Sequence, residues 1–390
     1  MFRIQTINKI SPLGLALFPK DKYEISGDIQ NPHGIIVRSA DLNNAEIPAS
    51  VLAIARAGAG YNNIPVPVCS ERGIVVFNTP GGNANAVKEL TLAAMLIASR
   101  GIVQGINWTA SIADKADEVP ALVEKEKSNF EGPELRGKTL GVVGLGAIGS
   151  MVANDAVVLG MNVISYAPTL SVDNALKLSS GVTRAGTLEE LLGKSDYISL
   201  HIPLNDATKG LLSAEKLGLV KKGARIINMS RNALVKDKDI IQALDAGNLS
   251  AYVTDFPTAE LLACKKVICI PHLGASTPDA EDNCAVMAAR QLMDYLETGA
   301  ILNSVNFSKC SLEQRVPFRL IVASRNIPDI AGQITTNLVK SNINVQDIVS
   351  LKRDDYGYSI IDTAQQIEKE TLDSIGRLDG IIRVRVLEKN

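Results

Sequence analysis

The chain has 390 residues, a formal net charge of −2 and a pI of about 6.0, too long for one ordinary domain and suited to two or three. The near-neutral balance argues against a nucleic-acid surface or a polybasic membrane anchor. The apolar run Leu90 to Ala98 is far shorter than a membrane span, so neither a nucleic acid nor a membrane is expected as a partner.

Early in the chain, strand-like runs alternate with polar or helical connections: Gly34 to Arg38, Val51 to Arg56, then Gly73 to Phe77. This is the βαβ rhythm of a parallel sheet. The rhythm resumes at Thr139 to Val143 and continues through Asn162 to Tyr166, Tyr197 to His201, Arg225 to Met229, Tyr252 to Thr254 and Val267 to Ile270. Helical patterns such as Leu188 to Leu192 and Lys238 to Ala246 lie between them, so two α/β units stand in series. A long amphipathic helix is expected over Pro278 to Leu296, followed by an extended stretch at Asn303 to Phe307. Composition changes again near Pro317. Beyond it come a strand (Phe318 to Ala323), a helix (Ile330 to Lys340), a hairpin (Asp347 to Lys352 with Tyr358 to Ala364), a second helix (Thr371 to Leu378) and a last strand (Ile381 to Leu387). That β-α-β-β-α-β order is ferredoxin-like, and residues 317–390 read as a separate small domain.

The five cysteines, Cys69, Cys264, Cys269, Cys284 and Cys310, form no C-x-x-C pair and are odd in number. They read as reduced, partly buried thiols. The short apolar stretch Leu13 to Phe18 has neither a cationic leader nor a small-residue cleavage site, so a cytoplasmic location is expected.

Gly144-Leu145-Gly146-Ala147-Ile148-Gly149 follows the strand Thr139 to Val143 and opens the helical run Ser150 to Leu159. Strand, glycine turn and helix in that order make a dinucleotide site: the first glycine permits the tight turn, the second lets the backbone approach a pyrophosphate, and the third lets the helix pack on the sheet. The diphosphate sits on the unpaired amides of the helix N-terminus. An ordinary glycine turn is the bland alternative, made less attractive by the flanking strand and helix.

Three further residues carry the chemistry expected beside a nicotinamide. His272 follows the strand Val267 to Ile270, at the carboxyl end where open α/β sheets place ligands. Imidazole suits transfer of a hydroxyl proton near neutral pH. Arg231 follows the strand Arg225 to Met229, where a guanidinium can hold a carboxylate through two parallel bonds. Glu260, shortly after Asp255, is a carboxylate able to orient His272 and favour its imidazolium. Each residue alone is more often structural; together at neighbouring strand ends they support one another.

At these motifs the chain resembles the D-isomer-specific 2-hydroxyacid dehydrogenases. The resemblance is carried by Arg56-Ala57-Gly58-Ala59-Gly60-Tyr61-Asn62-Asn63-Ile64, Val76 to Asn83, Gly137 to Gly146, His201-Ile202-Pro203-Leu204 with Thr208-Lys209-Gly210, Asn228 to Arg231, and Pro271-His272-Leu273-Gly274-Ala275-Ser276-Thr277. The tail resembles an ACT domain, a small amino-acid-sensing module. The resemblance implies two Rossmann-like doubly wound parallel-sheet domains plus that ferredoxin-like tail. Residues 1–92 and 272–305 would form the substrate-binding domain and 93–271 the nucleotide-binding domain, with catalysis in the cleft between them. It further implies NAD-dependent oxidation of 3-phospho-D-glycerate, the first step of the phosphorylated route to serine. Arg231 would bind the substrate carboxylate, His272 would exchange the proton and Glu260 would support His272. Ala57, Gly58 and Asn83 would help hold the substrate, with Arg38 and Arg56 as candidate contacts to its phosphate. Gly144, Gly146, Ala147, Ile148, Gly149, Ala167, His201, Pro203, Thr208, Met229, Asp255 and Gly274 would line the cofactor together with Arg231 and His272. No metal is expected. A homodimer or homotetramer and an amino-acid effector at the tail are expected partners.

Several positions depart from the family pattern. Ala167 stands where NAD-specific members place an acidic residue, and the first cation after it is Lys177, so NAD is the expected cofactor with NADP as the alternative. An alignment through Phe256-Pro257-Thr258 puts Ala259 rather than Glu260 in the glutamate column. In the tail, Ser324-Arg325-Asn326-Ile327-Pro328-Asp329 replaces the usual histidine-containing effector loop, leaving Asn326 and Asn344. Alternative functions are a dehydrogenase for glycerate or glyoxylate and a catalytically idle NAD(H) sensor.

Overall fold

The computed structural model describes residues 1–313 and 316–388. The chain forms two compact units, Met1–Gly82 with Glu281–Asn390, and Asn83–Ala280. The first contains a five-stranded sheet in the order β2-β1-β3-β4-β5, from β1 (Phe2–Ile7), β2 (Tyr23–Ser26), β3 (Gly34–Val37), β4 (Ala53–Arg56) and β5 (Val75–Phe77). All its pairings are parallel, and the order is flavodoxin-like. β3, β4 and β5 are short and nearly continuously apolar because both faces are covered.

Asn83–Ala280 holds a seven-stranded sheet of β6 (Thr139–Val143), β7 (Asn162–Tyr166), β8 (Val182–Arg184), β9 (Tyr197–Leu200), β10 (Ala224–Asn228), β11 (Leu249–Thr254) and β12 (Val267–Cys269). Its order, β12-β11-β10-β9-β6-β7-β8, is parallel throughout. The direction of winding therefore reverses between β6 and β9, and a ligand crevice opens at their carboxyl ends. Helix Ala84–Ser99 belongs to this unit and buries Ala94 and Met95 against its core.

The third sheet, β14-β15-β13-β16, is antiparallel. Its strands are β13 (Phe318–Arg325), β14 (Val345–Arg353), β15 (Tyr356–Thr363) and β16 (Ile381–Glu388). Helices Ile330–Lys340 and Lys369–Gly376 cover one face through Ile334, Leu338 and Ile375. The tail is thus a C-terminal antiparallel-sheet domain. It packs within the first unit, where Ile321, Ala323, Tyr358 and Ile360 share one apolar cluster with Ala288, Leu292 and Phe77. Arg319 ties it there, bonding bidentately to Asp362 at 2.7 and 2.8 Å and donating to the carbonyls of Thr298 and Leu312.

Two expectations change. Asn303 to Phe307 forms no strand: Ser304 Oγ donates to Asn306 Oδ1 within the segment, and Asn303 Nδ2 donates to the carbonyl of Asn78, far away in sequence. The long helix runs two residues further than predicted, as Pro278–Thr298.

Candidate active site

The glycine turn leaves β6 with Gly144 at φ +94°, a conformation that a side chain rarely adopts, and its amide donates to Tyr166 at the end of β7. A Cβ on Gly149 would lie 1.9 Å from the Gly144 carbonyl oxygen, so helix Ala147–Val158 reaches the sheet only because that atom is missing. Gly146 faces open space and no side chain caps the helix. Its first amides, at Ala147 and Ile148, are therefore available to an anion. A dinucleotide diphosphate fits this cradle.

Across the winding reversal, His201 follows β9 directly. Its Nε2 is bonded to Ser199 Oγ at 2.8 Å, while Nδ1 is shut off from solvent and has no hydrogen-bond partner among the described residues. Burial pulls the imidazole down to about 4, so the ring is neutral at physiological pH. Pro203 and Thr208 close the next turn, Thr208 Oγ1 donating to the Pro203 carbonyl at 2.7 Å. Met229 is buried in the core of this unit.

Three consecutive strand ends bring Arg231, Asp255 and His272 into one electrostatic cluster. Arg231 is exposed and extended, with Nη1 donating to the Ser230 carbonyl at 2.6 Å. His272 is exposed, its ring against Phe256 at a centroid distance of 4.8 Å. Asp255 is 1% exposed. Among the described residues, its Oδ2 accepts a long bond from the Gly274 amide, 3.4 Å, and its Oδ1 has no hydrogen-bond partner. Burial raises its pKa, opposed by the charges of His272 and Arg231. An incompletely satisfied buried acceptor beside a cation and an imidazole is a site built for a polar ligand group.

Other expected residues are placed differently. Glu260 is exposed in the first turn of helix Ala259–Leu262, and among the described residues no hydrogen bond or ion pair joins it to His272. The charge of His272 does reach Asp255, opposing the rise that burial imposes on that carboxyl. In the first unit the Ala57 amide donates to Val37 and the Gly58 amide to Arg56, so both are engaged by protein carbonyls. The Arg56 guanidinium lies over Gly58, and the φ of +154° at Gly58 is one that a side chain rarely adopts. Arg38 pairs with Glu281, the ion-pair alternative for that residue. Asn83 opens helix Ala84–Ser99 without capping it through its side chain. In the tail, Asn326 Nδ2 donates to the Asp354 carbonyl, and the backbone amide of Asn344 donates to Gln365 Oε1. Sequence reasoning used Phe256 only as an alignment anchor and passed over Arg184, which falls in no motif; proximity to His272 and to Ala167 is what brings them forward.

Residues 92–274 match the D-isomer specific 2-hydroxyacid dehydrogenase, NAD binding domain. D-3-phosphoglycerate dehydrogenase of Haemophilus influenzae is 31% identical over 385 residues, spanning 94% of this chain and 89% of that protein. The enzymes of that name from Methanocaldococcus jannaschii and Sus scrofa are 32% and 36% identical over 84% and 73% of this chain, which spans only 61% and 52% of their lengths. The NAD+-bound 3-phosphoglycerate dehydrogenase of Entamoeba histolytica superposes with a TM-score of 0.61 at 26% identity, covering 78% of this chain and 98% of that structure. The chain belongs to the D-isomer-specific 2-hydroxyacid dehydrogenase family, and the glycine turn lies in its NAD-binding domain. Among the described residues, no helix is long and apolar enough to cross a membrane.

Proposed function

We propose that the chain is a D-3-phosphoglycerate dehydrogenase, oxidising 3-phospho-D-glycerate to 3-phosphohydroxypyruvate with NAD as the first step of the phosphorylated route to serine. The observation that carries this reading is the cluster of Arg231, Asp255 and His272 at adjoining strand ends of the NAD-binding domain. In this reading Arg231 holds the substrate carboxylate through its planar fork, which fixes the carbinol carbon. His272 takes the hydroxyl proton as the carbonyl forms and, being exposed, passes it to solvent. Glu260 is assigned to support the imidazolium so formed, and the charge of Asp255 favours it as well. Bound NAD supplies the acceptor for the hydride leaving that carbon. Arg56, with Ala57, Gly58 and Asn83, is assigned to the substrate, residues 1–92 and 272–305 to a substrate-binding domain and 93–271 to the nucleotide-binding domain. Self-association, an amino-acid effector at the tail and a cytoplasmic location belong to the same reading.

One observation favours a second reading. The pairing of Arg38 with Glu281 neutralises a guanidinium otherwise available to a phosphate, which suits a smaller, unphosphorylated D-2-hydroxy acid. Initial rates of NAD reduction with 3-phospho-D-glycerate, D-glycerate and D-lactate, and of NADH oxidation with glyoxylate, test both. A preference for 3-phospho-D-glycerate in kcat/KM supports the first reading; a preference for an unphosphorylated acid overturns it in favour of the second; turnover of none overturns both.

A further inference from the structure

We propose that the adenosine end of the dinucleotide site also receives a ribose carrying a 2′-phosphate, held by Arg184, so that the chain takes NADP as well as NAD. This rests on the dinucleotide-binding reading of the glycine turn. β7 and β8 run side by side in parallel register with Ser165 opposite Arg184. Two bonds tether them: Ser165 Oγ donates to the Thr183 carbonyl at 3.0 Å and Thr183 Oγ1 to the Val163 carbonyl at 2.9 Å. The backbone that carries Arg184 is therefore fixed beside the end of β7, where Ala167 stands. Between these strand ends and the glycine turn lies a cavity of about 240 Å³, bordered by Leu145, Ser165, Ala167, Pro168, Leu170 and Arg184.

Charge decides which ribose this cavity accepts. A carboxylate at the end of the second strand of a dinucleotide fold accepts from both ribose hydroxyls and repels a 2′-phosphate, whereas an arginine nearby accommodates the phosphate. Here the carboxylate position is a methyl group, and among the described side chains no carboxylate borders the cavity. Arg184 is exposed and, among the described residues, has neither an ion pair nor a side-chain hydrogen bond. A guanidinium without a counter-charge, beside a cavity that has lost its repelling carboxylate, matches a phosphate dianion through paired N–H donors. In the sequence the cation is hidden, because it comes from the third strand rather than from the loop after the second.

Equilibrium titrations of the full chain with NADH and NADPH, read by nicotinamide fluorescence, test this in the wild type, Arg184→Ala and Arg184→Gln. Wild-type affinity for NADPH is expected within about tenfold of that for NADH, and both variants are expected to raise the NADPH-to-NADH Kd ratio by about tenfold or more. Added salt should weaken NADPH more than NADH in the wild type. NADPH binding weaker than NADH by more than about a hundredfold in the wild type would overturn the proposal. So would variants that weaken both dinucleotides equally, since Arg184 would then merely stack on the adenine. Failure of either dinucleotide to bind the wild type would overturn the underlying dinucleotide reading together with the proposal.

Discussion

Asp362 and Asp255 are both shut away from solvent, one in each unit, yet their surroundings treat them in opposite ways. Asp362 receives two short bonds from Arg319, itself fully buried, whose other donors end on main-chain carbonyls. Among the described residues, Asp255 has a 3.4 Å bond on one oxygen and no hydrogen-bond partner on the other. Complete satisfaction makes the first pair a tie that fixes the tail sheet to the end of helix Pro278–Thr298. Incomplete satisfaction keeps the second carboxylate ready for a group the protein does not itself supply.

Removing the imidazole next to Asp255 is the harshest test on the functional side. His272→Ala is expected to lower kcat by about two to four orders of magnitude, while a fluorescence titration still detects bound NADH. Near-normal turnover would show that the cluster is not the proton-transfer site. On the structural side, Asp362→Ala should cost about 3–5 kcal/mol in urea unfolding, because it leaves Arg319 buried and unpaired. Asp255→Asn, by contrast, should stay within about 1 kcal/mol of wild type while loosening NADH, since it removes a charge that burial disfavours. Equal losses of stability in the two variants would erase the distinction between the carboxylates.

Arg231→Lys asks whether the exposed cation of the cluster acts through geometry or charge alone. An ammonium lacks the fork, so kcat/KM should fall by about 2–4 kcal/mol in transition-state terms, and an unchanged kcat/KM would remove Arg231 from carboxylate binding. The smallest effect is a pH dependence at His201. Its folded value is depressed to about 4, so as pH falls through the ordinary histidine range the unfolded chain takes up a proton that the folded chain refuses. Stability is therefore kept above that range and lost below it, by on the order of 1–3 kcal/mol near pH 4. His201→Gln should flatten this slope in urea midpoints measured across that range. A variant as acid-sensitive as the parent would place the titration elsewhere.

Local pattern made much of this molecule legible. The glycine turn, the strand-end positions of Arg231, Asp255 and His272, and the β-α-β-β-α-β tail follow from residue periodicity and turn chemistry, which are written in short stretches of chain. β1, with its mixed sequence Phe-Arg-Ile-Gln-Thr-Ile, and the three-residue β8 carry too little periodicity to be read, and neighbouring strands define them instead. What the sequence determined by itself was therefore the order of elements, the dinucleotide turn and the chemical groups at the strand ends. Tertiary structure alone decided which of those groups meet. Asp255 lies within reach of the charges of His272 and Arg231, Arg38 is drawn to Glu281, Arg184 stands beside Ala167, and Arg319 finds Asp362 across 43 positions. The reason is physical: periodicity is a property of consecutive residues, whereas burial and charge pairing depend on strand register and sheet order, which bring distant segments together.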